Sequence, residues 1–89
     1  MFKPKNTQER VLHRFKIAQG HLKKVIKMVE SEEYCISIIH QSQAVQKALE
    51  EANNLILENH LKTCAAEAIK EGRQEEAIAE VMNVFKRHQ

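Results

Sequence analysis

The feature that most limits what this chain can fold into is the interval between Gly20 and Gly72, which contains neither Gly nor Pro. Within it Ile36, Ile39, Ser42, Val45, Ala48/Leu49, Ala52, Leu55/Ile56, Asn59 and Thr63 follow one another at steps of three or four. That period puts them on one stripe of an α-helix. Ser31-Glu32-Glu33 reads as its start, a capping serine and two acids at the positive helix end. Lys70 and Gly72 read as its stop. The spacing predicts a helix over about 32–70, far longer than the roughly 12 residues of an average one. An 89-residue chain cannot build a core along all of it, so much of this helix is expected to lie against another chain.

Shorter helices are expected on either side. The first covers about 6–30, with Asn6 as cap, Glu9 three residues on, and a stripe of Val11, Phe15, Ala18, Leu22, Val25, Ile26 and Val29. The third covers about 74–87, with Ala77, Ile78, Val81, Met82 and Phe85 on its apolar side. Its first turn holds Glu75 and Glu76 and its last Lys86 and Arg87, both favourable to the helix dipole. No stretch shows the alternation of a strand. The expected fold is all-α: one domain over 1–89, a three-helix protomer with a long second helix.

Charge is segregated along the chain. Residues 1–30 carry eight Lys or Arg against Glu9 and Glu30, net +6, and residues 31–89 carry six against ten Glu, net −4. A solvated helix surface is the ordinary reading of such a run; a basic face for a polyanion is the sharper one. No apolar run approaches the roughly 20 residues that span a bilayer, and Met1-Phe2-Lys3-Pro4-Lys5 lacks the apolar stretch of an export signal. A cytoplasmic protein is expected, with Cys35 and Cys64 as thiols. No nucleophile–base–orienter set and no phosphate loop can be found, so no enzyme is expected.

His60 and Cys64 lie four apart and therefore share a helix face. Cys35 lies 25 residues earlier, roughly 37 Å away along one straight helix. Two copies paired antiparallel about Ala48 or Leu49 bring Cys35 of one chain to the His60–Cys64 turn of the other, with one such site at each end. Singly, these residues are a core thiol, a surface imidazole and another thiol; together one simple geometry unites them. Two thiolates and one imidazole form a soft set that favours Cu(I), with Zn(II) also possible. Zinc generally takes four ligands and only three are evident, so the count leans to a trigonal Cu(I) site.

The stretch Tyr34-Cys35-Ile36…Gln41…Ala44-Val45…Ala48-Leu49…Asn59-His60-Leu61-Lys62-Thr63-Cys64, with Gln19-Gly20 before it, resembles the copper-sensitive operon repressor family over nearly the whole chain. The resemblance implies a protomer that forms dimers and then a flat homotetramer. It implies a repressor that holds operator DNA when metal-free and releases it on binding Cu(I), derepressing copper-resistance or efflux genes. By matching position it implies Cys35, His60 and Cys64 as ligands, and Tyr34 and Glu80 as residues supporting them.

Other branches of that family sense nickel or cobalt, persulfide or formaldehyde. His60 argues against the persulfide pattern and Cys64 against the formaldehyde one, while His21 resembles a ligand of a nickel-sensing branch and makes Ni(II) the alternative. Ile17-Ala18 stands where the family carries an acid, and Gln46 beside Lys47 where it carries an Arg. No helix-turn-helix or zinc finger is present. Arg14, Lys16, Lys23, Lys24 and Lys47 are the expected phosphate contacts. A metal-buffering thiol protein of the cytosol is the competing class, and it has no use for the basic first segment.

Overall fold

The computed structural model describes residues 5–88. Lys3, counted in the basic segment, and Phe2 lie outside the described residues. The elements in order are α1 (Lys5–Glu30), α2 (Cys35–His60), a π-helical turn (Leu61–Ala65), α3 (Ala66–Lys70) and α4 (Gln74–His88). His60, Ala65 and Ala66 all have right-handed helical backbone angles, so α2, the π turn and α3 form one continuous helical run. The three expected helices are therefore present, and the described residues include no strand. No helix among them is long and apolar enough to cross a membrane.

Both sharp turns use one device. At the end of α1, the Glu32 N–H donates to the Val29 carbonyl at 3.1 Å and the Glu33 N–H to the Met28 carbonyl at 3.0 Å. At the end of α3, the Gly72 N–H donates to Ile69 at 3.1 Å and the Arg73 N–H to Ala68 at 2.8 Å. This is the Schellman pattern, in which a left-handed residue folds the chain back over the last carbonyls. Gly72 supplies it with φ 82° and Glu32 with φ 55°. The second helix thus begins at Cys35 and not near Ser31: Ser31, Glu32 and Glu33 finish α1 rather than cap α2. The Tyr34 carbonyl accepts the first bond of α2, from the Ile38 N–H at 3.2 Å. Likewise α1 is already helical at Lys5, so Asn6 sits inside its first turn.

Residues 1–56 and 57–89 form two compact units. In the first, Arg14 ion-pairs with Glu51. Arg14 stands sixteen residues before the end of α1 and Glu51 sixteen after the start of α2, so the two helices run antiparallel out of the turn. Their interior follows a heptad. Val11, Ala18 and Val25 on α1 and Ile38, Val45 and Ala52 on α2 are seven apart, with His21, Met28, Ala48 and Leu55 at the intervening positions, all buried or half-buried. Such a 3.5-residue repeat is the seam of a two-stranded coil.

That seam corrects the expected stripe. Met28 is 6% exposed, whereas Leu22, Ile26 and Val29 are 49–57% exposed. On α2, Ile36, Ile39 and Leu49 are exposed as well. The sequence carries more apolar residues than one seam can use, and the surplus forms a second face. In the second unit, the small residues Ala65 and Ala77 are buried where the π turn and α4 come together. There Ile78, Met82 and Phe85, expected inside, are exposed.

Candidate metal centre

The last residue of α2 and the π turn that follows hold two of the candidate ligands, His60 and Cys64. A π turn is wider than an α turn and is often found at functional sites. Their α-helical spacing predicts a shared face for His60 and Cys64; they do share a cleft, but across a π turn. That cleft, about 270 Å³, is lined by His60, Cys64, Glu67, Glu71, Arg73, Glu76 and Glu80 together with Ala65, Ala68 and Ala77. His60 is half-buried and Cys64 exposed. His60 Nε2 lies 3.9 Å from Glu80 Oε2. The Thr63 hydroxyl contacts both neighbours, Asn59 O at 2.7 Å and Cys64 Sγ at 3.6 Å.

The cleft is electronegative, with four carboxylates against one guanidinium. Arg73 is hydrogen-bonded to Glu71. That bond and the Glu71 charge, with smaller contributions from Glu76 and Glu80, push the Arg73 pKa up despite a small opposing effect of desolvation. Glu67/Glu71 and Glu76/Glu80 are each four apart, a spacing that signals one acidic helix face. Of this rim the resemblance named Glu80; the cysteine and histidine spacing gives no sign of Glu67, Glu71 and Glu76, nor of Thr63 beside Cys64.

The remaining candidates belong to residues 1–56. Cys35 is the first residue of α2 and, like Cys64, an exposed free thiol. Tyr34 is 70% exposed. His21 occupies an interior position of the α1–α2 seam, and its Nδ1 is buried with no hydrogen-bond partner. Among the described residues, no three His, Cys, Asp or Glu side chains of one chain gather as a metal-binding group. His60 and Cys64, two donors suited to a soft cation in an acidic cleft, fit such a metal as two of its ligands. Lys16, Lys23, Lys24 and Lys47 are exposed, while Arg14 is half-buried and engaged by Glu51.

A family profile described as metal-sensitive transcriptional repressor matches residues 7–87. The chain belongs to this family. Among its relatives is the copper-sensing transcriptional repressor CsoR of Mycobacterium ulcerans (strain Agy99), 45% identical over 75 residues. That match takes in 84% of this chain and 64% of the relative, so the chain spans less than two thirds of that protein's length. CsoR of Bacillus subtilis (strain 168) is 36% identical over 85 residues, 96% of this chain and 84% of that one. The crystal structure of the copper-sensing repressor CsoR with Cu(I) from Geobacillus thermodenitrificans NG80-2 superposes with a TM-score of 0.88 at 38% identity, covering 99% of this chain and 92% of that chain. The all-helical architecture expected from the sequence is thus the architecture of a family member.

Proposed function

We propose that this chain is a Cu(I)-responsive transcriptional repressor, and that its metal site is completed between subunits. The observation that carries the reading is the His60–Cys64 pair in an acid-lined cleft, on a chain that superposes on a Cu(I)-bound copper-sensing repressor. The third ligand in this reading is Cys35 of the partner subunit. The exposed apolar faces, Leu22, Ile26 and Val29 on α1 and Ile36, Ile39 and Leu49 on α2, supply the contact surface for an antiparallel dimer and then a tetramer.

When bound, Cu(I) supplies a soft Lewis acid that two thiolates and one imidazole share. The chain does the rest. Cys64 and His60 offer ligands fixed by the π turn and the end of α2, Glu80 stands beside the imidazole, and the acidic rim raises the local concentration of cations. Lys16, Lys23, Lys24 and Lys47 hold operator phosphates. A ligand set drawn from two chains favours one arrangement of them, and DNA that favours another is released by the same coupling energy. The Ni(II) alternative through His21 is less supported, because Nδ1 of that residue is buried in the α1–α2 seam.

A gel shift on the DNA upstream of the gene tests the reading. The metal-free protein should retard it and Cu(I), not Ni(II), should release it. X-ray absorption on the loaded protein should show two sulfurs and one nitrogen at the metal. Release by Ni(II) alone, or a four-coordinate site including His21, would overturn it in favour of the nickel sensor; retardation that no metal relieves would remove the sensor function.

A further inference from the structure

The Thr63 side chain, on the π turn, touches both a main-chain carbonyl of the last turn of α2 and a ligand of the proposed site. Its hydroxyl has one hydrogen to donate and two lone pairs to accept with. Two acceptors compete for that hydrogen: the Asn59 carbonyl at 2.7 Å and the Cys64 sulfur at 3.6 Å. Asn59 is 8% exposed, so water is poorly placed to replace the hydroxyl on its carbonyl. Threonine bonds of this kind to the carbonyl four residues back bend helices, and here the bond spans the entry to the π turn, whose later part is closed by the Ala66 N–H on the Thr63 carbonyl.

We propose that Thr63 is a positioning residue that passes its single hydroxyl hydrogen from the Asn59 carbonyl to the Cys64 sulfur when a metal ion is bound, and so couples metal occupancy to the shape of the π turn. This rests on the reading of Cys64 as a metal ligand. In the metal-free chain the shorter bond holds the hydrogen on Asn59, and the Cys64 S–H can point at a Thr63 lone pair. A metal-bound sulfur has lost its proton to solvent and is an acceptor only. It then faces the Thr63 lone pair with charge against charge, and rotation of the hydroxyl relieves this. A hydrogen bond to an anion is about twice as strong as a neutral one, which drives the exchange. The Asn59 carbonyl is released in the same step, and the brace across the turn is lost. A local change of protonation at one sulfur thereby becomes a change in the backbone that connects α2 to α3.

Amide hydrogen exchange across residues 59–66 tests this, on the full chain with and without Cu(I), with Cu(I) affinity measured in the same samples by chelator competition. In the unaltered protein, Cu(I) should speed exchange in the turn relative to the rest of α2. Thr63→Val keeps the shape without the hydroxyl: its metal-free turn should already exchange fast, Cu(I) should change it no further, and Cu(I) should bind about fivefold more weakly, because the charge-assisted bond is gone. Thr63→Ser should restore all three behaviours. A Thr63→Val protein that keeps the full Cu(I) response, or a Thr63→Ser protein that behaves like it, would overturn the role of Thr63 while leaving the metal site standing. An unaltered protein that binds no Cu(I) would overturn both.

Discussion

His60 Nε2 faces Glu80 Oε2 at 3.9 Å, so the carboxylate of α4 addresses one nitrogen of the imidazole and leaves Nδ1 for a ligand. A small movement converts this approach into an N–H···O bond, the arrangement by which carboxylates fix the tautomer of metal-binding histidines. Glu80→Ala should therefore weaken Cu(I) binding by about tenfold, the lower end for loss of such a support. Glu76→Ala, on the same rim without that approach to the imidazole, should change it far less. Equal effects in chelator competition would mean that Glu80 acts only as bulk negative charge.

Cys35→Ala should abolish tight Cu(I) binding and leave a protein that still retards DNA but that copper no longer releases. His60 and Cys64 alone provide two donors, fewer than a trigonal site takes. Copper titration of the preformed DNA complex reads this directly, and an unaltered release curve would remove Cys35 from the site.

Salt dependence distinguishes the basic residues of the first unit. Replacing Lys23 or Lys24 with Gln should shallow the slope of log affinity against log salt by about one for each phosphate that is no longer neutralised. Arg14 is engaged by Glu51, so Glu51→Gln should free it, tighten DNA binding and steepen the slope. Binding that is indifferent to both changes would place DNA on another face.

Leu49, exposed on α2 in the single chain, lies where the proposed dimer axis passes. Leu49→Asp would bury a charge there, and sedimentation should find monomer with most of its helical signal lost. A stable folded dimer would move the axis elsewhere.

Glu32 holds a left-handed backbone that costs a residue with a Cβ about 1 kcal/mol. Glu32→Gly should recover most of that, less the extra freedom glycine has when unfolded. Denaturant midpoints at one fixed chain concentration provide the check. Gly72→Ala, at the matching position of the other turn, should lower the midpoint.

The two turns also show where the sequence was legible. Gly72 announced its turn, because glycine is the usual left-handed residue at a helix end. Glu32 performs the same role, yet Ser31-Glu32-Glu33 has the composition of a helix start, and a local pattern cannot separate the two. The π turn was equally silent: it adds no special residue, and Thr63 shows its importance only once its hydroxyl is seen between Asn59 and Cys64. That His60 and Cys64 share one cleft was readable because four-residue spacing survives the wider turn. The core was half readable, since periodicity finds apolar faces without saying which of two neighbouring faces the same chain covers.

Leu22, Ile26 and Val29 on α1 and Ile36, Ile39 and Leu49 on α2 bear on dosage as well as shape. In the proposed assembly another copy covers this surface, which links folding to concentration by mass action. For a repressor assembled this way, operator occupancy would rise with more than the first power of the amount of chain synthesised. Small changes in its expression would then act as a threshold, setting how much metal is needed before transcription begins.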